Sequence, residues 1–125
     1  MDIEKNSKVV AIVDDDESVR EALQALLQGA GHPALVFASA EEFLNSDEHP
    51  HAGCLIADIR MPGMSGLELQ AKLNSEQRRI PIVFITAHGD ERMRIQALRA
   101  GAVDFLIKPF DKDALLNSVR AALDY

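Results

Sequence analysis

Apolar residues along this 125-residue chain fall into two textures that alternate. One is the short continuous run rich in Val and Ile, seen at Val9–Val13, Ala34–Phe37, Leu55–Ala57, Ile82–Ile85 and Val103–Ile107. Continuous runs, unlike an in–out alternation, mark strands buried on both faces. The other texture is helical spacing. Val19, Ala22, Leu23, Leu26 and Leu27 share one helical face, and Gly29 to Gly31 stops that helix. Ser39-Ala-Glu-Glu42 has the form of a capping box opening a short helix that ends near Leu44. Ser65-Gly-Leu-Glu68 repeats that form, with Leu67, Ala71 and Leu73 as its apolar positions. Asp90 is placed to cap a helix running to Ala100 and closed by Gly101. Asp111 is placed to cap the last helix, apolar at Leu115, Leu116, Val119, Ala122 and Leu123.

The order is therefore βα repeated five times. Strands alternating with helices predict an α/β fold, a parallel sheet covered on both faces. Right-handed crossovers make it doubly wound. In such sheets ligands bind beyond the carboxyl ends of the strands, where the strand order switches. Chemistry is thus expected just after the apolar runs. Asp14, Asp15 and Asp16 follow the first run, Asp58 the third, Thr86 the fourth, and Lys108-Pro109 the fifth.

Carboxylates brought together repel one another unless a cation intervenes. Mg2+ is a hard ion that prefers carboxylates, carbonyls and waters. A carboxylate is also a nucleophile toward phosphorus. Phosphoryl transfer needs positive charge around the equatorial oxygens, which Mg2+ and Lys108 can supply, while Thr86 offers a hydroxyl. The inventory is that of a phospho-acceptor. An aspartate-nucleophile phosphatase would need an acid/base aspartate two residues after the nucleophile, where Arg60 stands. A flavodoxin-like cofactor binder would need a Ser/Thr/Gly-rich phosphate loop, where Asp14-Asp15-Asp16-Glu17 would repel phosphate. A module that only binds partners has no need of the full set, and none of the carboxylates, Thr86 or Lys108 is missing.

Composition narrows the setting. The length suits one domain, and 47% hydrophobic with 26% charged residues suffices for a core without disulfides or structural metal. A net charge of −7, with 20 acidic against 13 basic residues, argues against a direct grip on nucleic acid. The single cysteine, Cys54, cannot form an internal disulfide and reads as a small buried hydrophobe. The polar start MDIEKNSK has no signal core, and no apolar run is long enough for a bilayer, so a cytoplasmic protein without a membrane partner is expected. Asp16 reads as a helix-dipole partner, His49 and His51 as solvated loop residues, and Met61, Met64 and Met93 as gap-fillers or partner-facing side chains.

The stretches IVDDDESVR, ADIRMPGMSGLEL, IPIVFITAHGD and AGAVDFLIKPF, in this order and at this spacing, resemble the receiver domains of two-component response regulators, most of all the FixJ-type group. The resemblance covers nearly the whole chain. It implies one receiver domain over residues 1–125, with a flavodoxin-like (βα)5 three-layer sandwich and sheet order 2-1-3-4-5. It implies a signalling phospho-acceptor rather than an enzyme, taking a phosphoryl group from a sensor histidine kinase onto Asp58 with Mg2+. Asp15 matches a direct Mg2+ ligand, Asp14 one acting partly through water, and the backbone carbonyl of Arg60 a third. Thr86 matches the switch hydroxyl, Lys108 the family's lysine, and Phe105 the aromatic switch position. Pro109 matches a proline whose preceding bond is cis. Arg60 and His88 match two positions that border the phosphoryl group and tune its loss.

On phosphorylation Thr86 is expected to move inward and Phe105 to rotate into the vacated space. That change would alter the surface of the fourth helix and fifth strand, Asp90–Ile107, which carries Arg92, Arg94, Arg99, Ile95, Leu98 and Asp104. The resemblance implies a homodimer through this face when phosphorylated. FixJ-type regulators usually continue into a helix-turn-helix DNA-binding domain, whereas this sequence ends at Tyr125. Two readings stay open: the receiver part of a longer transcriptional regulator, or a stand-alone receiver acting through protein contacts.

Overall fold

The computed structural model describes residues 8–47, 51–87 and 89–124. Strands and helices alternate as β1 (Val10–Val13), α1 (Glu17–Gly29), β2 (Ala34–Phe37), α2 (Ala40–Leu44), β3 (Cys54–Asp58), α3 (Gly66–Ser75), β4 (Ile82–Thr86), α4 (Glu91–Arg99), β5 (Asp104–Ile107) and α5 (Lys112–Leu123). The strands form one parallel sheet in the order β2-β1-β3-β4-β5. All five expected strands are present. β2 has the expected bounds, the other four differ by a residue at one or both ends, and two of the differences matter for chemistry. β3 runs on through Asp58, which pairs in register with Ile85, and β4 through Thr86, opposite Ile107. Both side chains are thereby held on ladder-bonded backbone rather than on loops.

Alternate residues of the central strands feed two cores. Val10, Ile12, Cys54, Ile56, Val83 and Ile85 pack with Leu23 and Leu27 of α1 and Leu115, Val119 and Ala122 of α5. Ala11, Val13, Leu55, Ala57 and Phe84 pack with residues of α2, α3 and α4 such as Phe43, Leu69, Leu73 and Ala97. This is the three-layer sandwich. β1, β3 and β4 are buried at every position, whereas the outer strands β2 and β5 are only partly covered. Leu35 and Ile107 are consequently exposed although their runs read as continuous strands.

The four expected caps are present, and Asp16, expected as a dipole partner, caps α1 too. Asp16 accepts from the Ser18 and Val19 N–H groups, Ser39 from Glu42, Asp90 from Met93 and Asp111 from Ala114, and Ser65 with Glu68 closes a full reciprocal box. Two helical faces differ from expectation. Ala22 of α1 and Ala71 of α3 are exposed, because a methyl group gains little from burial and does not set a helix's rotation. α3 instead buries Gly66, Leu69, Gln70 and Leu73. Gln70 is tolerated inside because its Nε2 donates to Ala97 O of α4 at 3.0 Å.

Cys54 is fully buried in β3, and burial pushes its thiol up to about 12. The reactive thiolate is therefore scarce near neutral pH. We expect the native protein to stay unlabelled by an aromatic disulfide reagent for hours and to react stoichiometrically in denaturant. Prompt labelling of the native protein would show β3 to open far more readily than this packing implies.

Candidate functional site

A parallel sheet gathers all its carboxyl ends on one edge, and β1 and β3 lie side by side where the chain order reverses. Asp14 directly follows β1, Asp58 ends β3, Thr86 ends β4 and Lys108 directly follows β5. The Lys108 ammonium stands 3.3 Å from Asp14 Oδ2 and 3.3 Å from Asp58 Oδ2, bridging the two. Each aspartate is also held by backbone. The Asp16 N–H donates to Asp14 Oδ1 at 2.9 Å, and the Arg60 N–H to Asp58 Oδ1 at 3.2 Å. Asp15 joins them: one carboxylate oxygen from each of Asp14, Asp15 and Asp58 lies within 4.8 Å of the others.

Burial differs across the cluster. Asp14 is fully buried and Asp58 nearly so, while Asp15 is exposed. Burial raises the Asp14 pKa above the ordinary carboxylate value and the charge of Asp58 adds to the rise, against the Asp16 N–H and Lys108, which lower it. For Lys108, burial opposes the charged form, but Asp14 and Asp58 outweigh it and raise the pKa above that of a free lysine. Lys108 is therefore an ammonium throughout the ordinary pH range. One ammonium cannot neutralise three carboxylates, so the cluster keeps a negative excess. An all-oxygen donor set with that excess, opening to solvent at Asp15, fits a hard divalent ion that retains waters. The Asp14, Asp15 and Asp58 carboxylates would hold it. The Arg60 carbonyl, two residues beyond Asp58, is the fourth candidate.

Thr86 is buried, and its carbonyl accepts the Lys108 N–H at 2.8 Å, fastening the end of β4 to the cis Lys108–Pro109 peptide. Phe105 is buried too, its ring centroid 6.4 Å from that of Phe84. The Phe105 ring occupies an inward position in this structure. Gly89 leaves the room for it: a Cβ there would lie 2.8 Å from Phe105 Cε1 and 2.9 Å from Thr86 Cγ2. His88 and His49 lie outside the described residues, and His51 is half-buried. Met61 is buried and Met64 and Met93 half-buried. Met61 and Met93 line an open groove of about 500 Å³ with Arg60, Ser65 and Leu67.

Three contributors to the site were not evident from the sequence. Arg20 Nη1 donates to the Asp14 carbonyl at 2.9 Å, bracing the acidic turn from within α1. Gly66 lets α3 start against the end of β3: its N–H donates to Ile59 O at 2.9 Å, and a Cβ would fall 2.3 Å from Asp58 O. A glycine in the first turn of an otherwise well-capped helix is a helix-propensity cost, and that cost was the available signal. The third contact is beside the site, where Glu41 Oε2 of α2 accepts the Met64 N–H of the loop after β3 at 2.9 Å.

Comparison with known proteins agrees with this geometry. The profile of the family described as response regulator receiver domain matches residues 10–120. The response regulator protein TodT of Pseudomonas putida is 48% identical over 117 residues, covering 94% of this chain and 52% of TodT. The transcriptional regulatory protein FixJ of Azorhizobium caulinodans is 42% identical over 114 residues, covering 91% of this chain and 54% of FixJ. The chain thus spans about half the length of these relatives. The crystal structure of FixJ-N superposes with a TM-score of 0.84 at 37% identity, covering 94% of each chain.

Proposed function

Since the chain belongs to the response-regulator receiver family of two-component signalling, we propose that it takes a phosphoryl group from a sensor histidine kinase onto Asp58. The observation that carries this reading is the Lys108 ammonium, 3.3 Å from Asp58 and 3.3 Å from Asp14, at the edge where three carboxylates converge. An Asp58 carboxylate oxygen would form the new O–P bond as the bond from phosphorus to the donor breaks, leaving an acyl phosphate. Lys108 is placed to meet the charge on the transferring oxygens, and the Thr86 side chain, at the end of the neighbouring strand, to hydrogen-bond one of them. Mg2+ held by Asp14, Asp15, Asp58 and the Arg60 carbonyl would supply the remaining positive charge. The chain acts as a phospho-acceptor that assists its own phosphorylation and dephosphorylation, not as an enzyme with a separate substrate.

Output is proposed to run through the α4–β5 face. Phosphorylation adds charge and acceptor oxygens beside Thr86, which packs with Phe105 around Gly89 at the foot of α4. Ile95 and Ile107 are exposed on that face, beside Arg92, Arg94 and Arg99. Exposed apolar groups ringed by charge suit an isologous homodimer. The name of the relative FixJ, a transcriptional regulatory protein, supports transcription regulation as the outcome, and a DNA-binding region outside this sequence would carry it. A stand-alone receiver acting by protein contact is the alternative. The acidic domain itself would not touch nucleic acid. No helix among the described residues is long and apolar enough to cross a membrane, and a cytoplasmic setting is proposed from the family.

One preparation tests these points. Incubation with Mg2+ and a small acyl phosphate should add one phosphoryl group by mass spectrometry, and sedimentation should shift from monomer to dimer. No added mass would reject the acceptor role. A fully phosphorylated protein that stays monomeric at roughly 100 μM, about −5.5 kcal/mol of association, would reject dimerisation as the output. Following loss of the group in Arg60→Ala and His88→Ala reads the tuning role, and an unchanged lifetime in both would remove it.

A further inference from the structure

We propose that Glu41 is a positioning residue of this site, tethering the tip of the β3–α3 loop so that the Arg60 carbonyl faces the metal position. This inference rests on the phospho-acceptor reading above. The loop, residues 59–65, leaves Asp58 and is closed at its base by the Gly66 N–H donating to Ile59 O at 2.9 Å. Two of its side chains point into the core. Ile59 and Met61 are buried in the cluster that also takes Ala40 and Phe43 of α2. Between them stands Arg60, exposed, its N–H bound to Asp58 Oδ1 at 3.2 Å. The orientation of its carbonyl depends on where the following residues run.

Two backbone N–H groups of those residues are held from outside the loop, that of Ser65 by Glu68 Oε1 of α3 at 2.9 Å and that of Met64 by α2. Gly63 turns the chain with φ of 76°, a conformation that side chains rarely adopt. That turn presents the Met64 N–H to α2, where Glu41 Oε2 accepts it at 2.9 Å. The carboxylate sits over the glycine, and a Cβ on Gly63 would come within 2.7 Å of Glu41 Oε2. α2 is itself fixed in place. Ser39 caps its start by accepting the Glu42 N–H, while Ala40 and Phe43 are fully buried. Glu41, 23 residues away in sequence, therefore ties the backbone at the loop tip to a rigid element, while the Met64 side chain packs against the core. A charged acceptor makes this bond stronger than a neutral one. Residues that orient metal ligands act in this way, and their loss costs tenfold or more in affinity in well-enclosed sites. The Glu41 bond is solvent-exposed, so the expected loss is smaller.

The test compares Glu41→Ala with Glu41→Gln, which keeps an acceptor oxygen but no charge. By calorimetric titration, Glu41→Ala should weaken Mg2+ binding about fivefold. Acyl-phosphate labelling should slow at limiting Mg2+ and recover at saturating Mg2+. Glu41→Gln should stay within about twofold of the parent. Melting in chelator should separate the two variants little, because the tether's role is positional. Unchanged Mg2+ affinity in Glu41→Ala would overturn the proposal. Equal loss in both variants would overturn it as well, by showing a charge effect rather than a tether. Exchange of the Met64 amide reads the tether without metal, and should be protected in the parent and unprotected in Glu41→Ala. A parent protein that binds no Mg2+ would overturn the site reading itself, even with Met64 protected. An unprotected Met64 in a parent that does bind Mg2+ would overturn the Glu41 assignment alone.

Discussion

Asp58→Asn is expected to reduce phosphoryl incorporation to background while leaving the domain folded, with stability within about 1 kcal/mol of the parent or above it. The chemical half follows from the nucleophile. An amide oxygen does not form a stable bond to phosphorus, and Asp14, the nearest other carboxylate bound to Lys108, is fully buried and turned into the Asp16 N–H. The stability half follows from the charges. Asp58 gains one attraction, to Lys108 at 3.3 Å, and meets two like charges, Asp14 and Asp15, within 4.8 Å. Asparagine keeps an oxygen for the Arg60 N–H and removes both repulsions, and Lys108 keeps Asp14. The parent should gain stability on adding Mg2+, by mass action on the folded state, and the variant should gain less. Mass spectrometry after acyl-phosphate treatment, with melting curves at increasing Mg2+, reads both halves. Incorporation at the parent level would remove Asp58 from its role, and an unfolded variant would show that its charge is structural.

Gly66→Ala is expected to destabilise the protein by about 2–3 kcal/mol, roughly 10 °C in Tm for a domain of this size, and to slow labelling of Asp58. Helix propensity alone predicts the opposite sign, since alanine is favoured over glycine by about 1 kcal/mol in a helix interior. Packing decides otherwise. The new methyl group would lie 2.3 Å from Asp58 O and 3.1 Å from Ile59 Cα. Both are backbone atoms at the end of a buried strand, so no flexible side chain can give way. Relief requires moving α3 off β3 or tilting the residue that carries the nucleophile. Denaturant unfolding combined with the labelling rate checks this. Stability equal to or above the parent would mean that α3 can shift at little cost.

Much of this was legible in local pattern. The apolar runs at Val10–Val13, Cys54–Asp58 and Ile82–Thr86 sit in a sheet covered on both sides, and that burial is what a continuous run records. The caps at Ser39, Ser65, Asp90 and Asp111 were readable because a cap is a contact between residues two or three apart, whereas Asp16, read as a dipole partner, proved to be a cap as well. Asp14, Asp58, Thr86 and Lys108 could be grouped without coordinates because parallel strands share one carboxyl edge, so being next after a strand is already a position in space. Other features had no local trace. Gln70 is buried because Ala97 O of another helix accepts from it, and hydrophobic periodicity passes over a polar residue. Ala22 and Ala71 match the period yet face solvent.

By itself, then, the sequence determined the order and kind of the elements, the strand-end gathering of the carboxylates with Lys108, and the family. These depend on period, on short-range caps and on topology, all of which are written along the chain. Only the tertiary structure decided that Phe105 lies inward beside Gly89, that Gly66 abuts Asp58 O, and that Glu41 reaches Met64. Each of these is an approach of a few ångströms between segments far apart in sequence. Such distances are set by how the layers and loops pack together, and no single segment encodes them.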